Sequence, residues 1–302
     1  MSCSKTDEEL KSVIHEIQKI DPKGERIARV LRSTLDQLYD GQHTGRYRWD
    51  QLHKTEKTHC GTLVEINLHR EFEFEDGKDM DYQISGIEVD CKYSQSLYGW
   101  MIPLEAVGHL CILLSANDES SRWSMGIVRI STEILNQGRN RDSKRNIGAH
   151  GRDNIVWIFK DAELKPNILL QLPRDTVEAI MDLPTGQKRI NEIFRVAQGK
   201  VIGRGVIATL GQQEDYMKRV RGNGGSRGKL KSEGIIILGQ YERHRQIAKE
   251  LGLPIPDKGE SVSIRVAPAN SPGQGVVGIE DKLWRIAKDD DPICDAPEVP
   301  YY

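Results

Sequence analysis

The chain has 302 residues, with 43 Lys or Arg against 45 Asp or Glu and a net charge of −2. That length exceeds what a single core usually spans, so two domains are expected, and the near-neutral balance excludes a uniformly basic surface while leaving local patches open. Five scattered cysteines without C-x-x-C spacing exclude a disulfide framework and a structural zinc site and suit a reducing cytoplasm; with no apolar run near eighteen residues, neither secretion nor a membrane span is expected.

Thr6-x-x-Glu9 reads as a capping box, and Leu10, Val13, Ile14 and Ile17 follow at helical spacing until Asp21-Pro22. A second helix carries Ile27, Val30, Leu31, Leu35 and Leu38 and stops at Asp40-Gly41. Residues 63–68 fit strand alternation or a helix ending near Arg70, and helix is preferred. Residues 72–74, 81–84 and 87–93 read as strands joined by turns at Asp76-Gly77 and Ser85-Gly86. In the last strand, period 2 places Ile87, Val89, Cys91 and Tyr93 on one face and Glu88, Asp90 and Lys92 on the other.

Asp81 precedes Asp90 by nine residues, within reach across a hairpin. Two carboxylates converging there can hold Mg²⁺ through hard oxygen ligands, and Lys92, two residues along, would lie beside the metal-bound water, an arrangement suited to phosphodiester hydrolysis. A merely solvated sheet face shows the same charged alternation, so the motif does not decide the matter alone. Its common form has proline before the first aspartate; Met80 stands here, at a position expected to contribute nothing chemically.

Further strands are expected at the apolar end of 104–114 and over 123–130 and 155–159, giving a mixed central sheet. Between them a basic loop, 137–146, offers Arg139, Arg141, Lys144 and Arg145 to phosphates. The pattern turns from strand to helix near 165–173, which divides the chain into 1–165 and 166–302. In the second part 185–198 is a helix, 205–220 has helix-turn-helix spacing about Gly211, and the loop 222–231 with the strand 234–238 would make a wing, in a mainly helical domain. Between positions 186 and 249 fourteen Lys or Arg face five Asp or Glu, the footprint of a polyanion partner. DNA contacts are therefore expected from Gln213, Lys218, Arg219, Arg221, Arg227, Lys229 and Lys231. A nucleotide cofactor is not expected: Asn223 and Leu230 occupy the positions where a Walker loop needs Gly and Ser or Thr.

Together, residues 34–41, Val64 to Leu68, Met80-Asp81-Tyr82, residues 89–94 and the block 205–238 resemble the NaeI-type type IIE restriction endonucleases over most of the chain. The resemblance implies an N-terminal domain of restriction-endonuclease-like PD-(D/E)xK α/β (α+β) fold and a C-terminal winged-helix, catabolite-activator-like domain that binds a second copy of double-stranded DNA and so activates cleavage. It carries the catalytic set onto Glu65, Asp81, Asp90 and Lys92, with Glu65, Asp81 and Asp90 as Mg²⁺ ligands. It further implies a homodimer cutting a short palindrome. Leu38 stands where the related ligase signature has lysine, so covalent nucleotidyl transfer has no nucleophile. A winged-helix transcription regulator without nuclease activity, or a repair or nicking nuclease of the same fold, remain alternatives.

Overall fold

The computed structural model describes residues 7–138 and 142–301. The chain forms two compact units, Met1–Leu38 with Leu52–Pro166, and Tyr39–Gln51 with Asn167–Tyr302. The expected boundary at 165/166 is one residue from the change of unit at 166/167, but 39–51, which the sequence reading left in the first domain, packs with the second unit. Two residues explain this: Tyr47 joins that unit's apolar cluster, and a Cβ on Gly41 would overlap the Thr209 hydroxyl.

In the first unit, α1 (Glu8–Ile20) is N-capped by Asp7, which accepts the Leu10 N–H at 3.0 Å; Thr6 of the expected capping box lies outside the described residues. Helix α2 (Glu25–Tyr39) buries Ile27, Val30, Leu31, Leu35 and Leu38 as its spacing predicts, and a short α3 (Gly41–Thr44) follows. Helix α4 (Lys54–Phe72) includes the ambiguous 63–68 segment. The strand expected at 72–74 does not form there. Glu73, left-handed at φ 54°, ends α4, and Phe72 and Phe74 stack on one another at 5.4 Å instead of alternating across a sheet.

Strands β1 (Glu75–Asp76), β2 (Tyr82–Ile84), β3 (Ile87–Ser94), β4 (Leu110–Asn117), β5 (Arg122–Arg129) and β6 (Val156–Glu163) form one mixed sheet in sequence order. Only β3 and β4 pair in parallel, which requires the long connection 95–109 between them; the other neighbours are antiparallel. One face of the sheet carries Cys111, Leu113 and Val128 in a cluster with Trp100 and Ile102, while α4 packs on β3 and α1 on β5.

The second unit contains α5 (Ile168–Gln171), α6 (Arg174–Met181), α7 (Gly186–Val196), β7 (Val201–Ile202), α8 (Arg204–Gly211), α9 (Ser226–Lys229), β8 (Ile235–Leu238), α10 (Glu242–Glu250), β9 (Ser261–Pro268), β10 (Val276–Ile279) and β11 (Lys282–Ile286). Its core gathers Ile190, Ile193, Phe194 and Ala197 of the expected 185–198 helix with Ile207 and Leu210. Helical residues outnumber strand residues in this unit, but it also holds a five-stranded antiparallel sheet: β10, β11, β9 and β7 adjoin in that order and β8 also pairs with β9. Strand β9 is paired along both edges, and although its sequence alternates polar and apolar from Ser261 to Val266, Ser261 and Ser263 are buried along with Val262 and Val266.

The expected second helix of the helix-turn-helix is a five-residue 3-10 helix, Tyr216–Val220. Gln212, left-handed at φ 46°, stops α8, and Gly211 lies so close to Tyr216 that a Cβ would come within 2.7 Å of the Tyr216 Cβ. Residues 222–231, expected as a loop, hold the single turn of α9, and the strand expected at 234–238 forms as β8.

Candidate active site

The centre is built by a hairpin. Tyr82 faces Val89 and Ile84 faces Ile87, a register that continues to set Asp81 opposite Asp90. The turn is Ser85-Gly86, with φ 53° and 75°; positive φ at both positions is the type I′ geometry that matches strand twist. Asp81 Oδ2 accepts the Cys91 N–H at 2.8 Å and receives Lys92 Nζ at 3.4 Å. Lys92 Nζ also donates to Asp90 Oδ1 at 2.5 Å and to the Cys91 carbonyl at 3.0 Å, which occupies all three of its N–H groups. Asp81, Asp90 and Lys92 are thus drawn together around one ammonium.

Glu65 reaches this region from α4, whose backbone is tied to the hairpin by Tyr82 Oη donating to the Glu65 carbonyl at 2.8 Å. Its carboxyl is held above the ordinary glutamate range by burial and by Asp81 and Asp90, against the opposing pull of Lys92. Asp90 is only 4% exposed. Burial, with Asp81 adding to it, pushes its carboxyl up to about 6 although Lys92 pulls the other way. For Lys92 burial acts downward, but Asp90 and Asp81 outweigh it and hold the ammonium above its usual range. The alternation expected for β3 is present, but the Glu88–Asp90–Lys92 face is not a solvated one: Asp90 is as buried as Cys91 behind it.

Two contributors escaped the sequence reading. Glu88 accepts the backbone N–H groups of Lys78, Asp79 and Met80 at 2.8, 3.1 and 2.9 Å, so the loop leading to Asp81 is closed onto β3. This corrects the expectation about Met80: its N–H donates to Glu88 Oε2, and proline has no N–H to offer. Gly77 is required in the same loop, since a Cβ there would strike the Met80 carbonyl. The second contributor is Cys111, directly opposite Asp90 on β4, with its Sγ 3.7 Å from Asp90 Oδ2. Parity within β3 hinted at Glu88; nothing in the sequence pairs Cys111 with Asp90.

The donor chemistry suits Mg²⁺. Glu65, Asp81 and Asp90 offer three carboxylates against the one ammonium of Lys92, an excess of negative charge that a divalent cation would balance. Among the described residues no three His, Cys, Asp or Glu side chains converge closely enough to enclose a metal. Mg²⁺ does not demand that, being commonly held by one or two carboxylates and its own waters.

The expected DNA contacts divide. Arg139 and Arg141 lie outside the described residues. Lys144 is exposed, whereas Arg145 pairs its backbone with Ile102 and its Nε is buried. In the second unit Arg227 is spent internally, its Nε donating to the Ile237 carbonyl at 2.9 Å and its guanidinium 5.5 Å from the Tyr301 ring. Gln213 accepts from Arg219 at 2.9 Å, Lys218 pairs with Asp215, and Lys231 lies 3.9 Å from Glu298. Arg221 and Lys229 are exposed. The basic excess is further reduced by Arg195, which bridges Glu192 and Glu233, and by Arg243 and Arg245, which face Glu250 and Asp257.

A mixed sheet whose central strand gathers two aspartates and a lysine is compatible with a nuclease of restriction-endonuclease-like fold. The chain matches the family model described as restriction endonuclease NaeI over residues 11–295. It is 48% identical over 308 aligned residues to the type II restriction enzyme NaeI of Lentzea aerocolonigenes, covering 99% of this chain and 97% of that relative. The chain belongs to the NaeI family of type II restriction endonucleases. Among the described residues no helix is long and apolar enough to cross a membrane.

Proposed function

We propose that the chain is a Mg²⁺-dependent endonuclease that cuts double-stranded DNA at a short palindromic site through Glu65, Asp81, Asp90 and Lys92. The observation that carries this reading is the convergence of the half-buried Asp81 and Lys92 on the buried Asp90, with Lys92 within hydrogen-bond reach of both carboxylates. Asp81 and Asp90 would hold the metal, and Glu65 would complete the negative field. Bound Mg²⁺ would supply Lewis-acid polarisation of a phosphate and an acidified water. Lys92, fixed by β3, keeps its proton and is placed to stabilise charge on the phosphate under attack. The apolar layer around Cys111 and Leu113 limits water behind Asp90, which strengthens each of these interactions.

The reading extends to the second unit as the site of an effector DNA copy, in winged-helix fashion, with cleavage dependent on occupancy of both sites. Its support is the exposed cationic group of Lys218, Arg219, Arg221 and Lys229 after α8. A homodimer would match the twofold of the palindrome.

The test is digestion of sequenced supercoiled plasmid with Mg²⁺, followed by end mapping, for the wild type and for Asp90→Ala and Lys92→Ala. Linear product with defined ends from the wild type, and none from variants that still bind DNA, is expected. Open circles only would indicate a nicking enzyme, and equal cutting by all three proteins would overturn the assignment.

A further inference from the structure

We propose that Cys111 is a positioning residue for Asp90, its thiol holding one carboxylate oxygen while Lys92 holds the other. The inference rests on the nuclease reading above. The parallel register puts Cys111 directly beside Asp90, and alternation points both side chains to the same face of the sheet. Sγ lies 3.7 Å from Asp90 Oδ2 and 3.6 Å from the Ile112 carbonyl. A thiol has one proton to donate, and a carboxylate is the stronger acceptor, so the bond to Asp90 prevails over the neutral carbonyl. Cys111 is fully buried among Leu113, Val128 and Trp100 and has no route by which to act as a nucleophile.

Two oxygens held from opposite sides leave the carboxylate little freedom to rotate. Lys92 Nζ takes Oδ1, Cys111 takes Oδ2, and the lone pairs left over on the two oxygens are the ones a hard cation would use. Partners that orient a metal-binding carboxylate in this way typically change metal affinity or activity by about 10–100-fold when removed. The role needs a donor of modest size at position 111, and no acidity of its own.

The test compares Cys111→Thr with Cys111→Val, two side chains of nearly the same shape of which only threonine carries a donor. Mn²⁺ affinity by titration calorimetry and the Mg²⁺ concentration giving half-maximal plasmid cleavage are both measured, with thermal melting to confirm folding. Cys111→Thr should stay within about threefold of wild type, and Cys111→Val should need about tenfold more metal in both measurements. Equal metal affinity for the two variants would overturn the proposal. If either fails to fold, Cys111→Ser and Cys111→Ala supply the same contrast at smaller volume, with the same outcomes required. Wild-type protein that cuts no DNA with Mg²⁺ would instead overturn the nuclease reading, so the two failures are distinguishable.

Discussion

Replacing Asp90 by asparagine should stabilise the metal-free protein at neutral and alkaline pH. The Asp90 carboxyl stands near 6 against an ordinary 3.8, chiefly because it is buried. A raised carboxyl binds its proton more tightly in the folded chain than in the unfolded one, so between about 4 and 6 the folded state holds more protons and stability falls as pH rises. A shift of about two units at 1.36 kcal/mol each makes the ionised folded state about 3 kcal/mol less favourable above pH 7. Asparagine keeps the shape and never ionises. In differential scanning calorimetry with EDTA at pH 8, Asp90→Asn should melt about 6–12 °C above wild type, taking about 2–4 °C per kcal/mol for a unit of this size. At pH 4, where wild-type Asp90 is protonated, the difference should vanish. Equal melting at pH 8, or a difference as large at pH 4, would refute burial as the dominant influence on Asp90.

Met80→Pro, which restores the commoner form of the motif, should lower cleavage about tenfold with the far-ultraviolet circular dichroism unchanged, because it deletes the N–H that donates to Glu88; full activity would show that this bond does not position Asp81. Tyr82→Phe removes the hydroxyl that ties the hairpin to α4 and should cost about 1 kcal/mol in urea unfolding. An unchanged midpoint would mean that the Glu65 carbonyl does not need it. The double change Arg219→Ala with Arg221→Ala should weaken binding of effector DNA and reduce the slope of log affinity against log salt by about 1–2, one phosphate per cation. An unaltered slope would place the effector surface elsewhere.

Hydrophobic period made the first unit largely legible. The spacing of Ile27, Val30, Leu31, Leu35 and Leu38 gives α2, and alternation from Ile87 gives β3, because both elements bury one face and expose another. It failed where burial is two-sided or absent. Strand β9 alternates from Ser261 to Val266 yet buries both of its serines, so the pattern does not report its burial, while Phe72 stacks on Phe74 and Phe74 lies against Tyr82 at the end of a helix. The basic stretch in the second half was visible as composition, but its sequence does not reveal that Arg195, Arg227, Arg243 and Arg245 answer internal acceptors. Of the catalytic candidates, Asp90 and Lys92 are readable from one strand. Glu65 needs the family resemblance, since α4 comes near the hairpin only in the fold.

The nine-residue interval between Asp81 and Asp90 is a property of the hairpin and not of the chemistry. Phosphodiester hydrolysis needs the carboxylates to converge; a two-residue turn and the register of Tyr82 against Val89 convert that need into a fixed spacing. One residue added to the turn would shift the register and send Asp81 to the opposite face, where it could meet neither Lys92 nor the Cys91 N–H. Glu88 and Cys111 guard the same geometry from either side, Glu88 by closing the loop before Asp81 and Cys111 by lying beside Asp90 on the next strand. Neither bears on where the lysine is, because Lys92 is placed by β3 itself. The rigid part of the centre is therefore Asp90-Cys91-Lys92, and the adjustable part is the approach of Asp81, which in this chain is steadied by the Met80 N–H donating to Glu88.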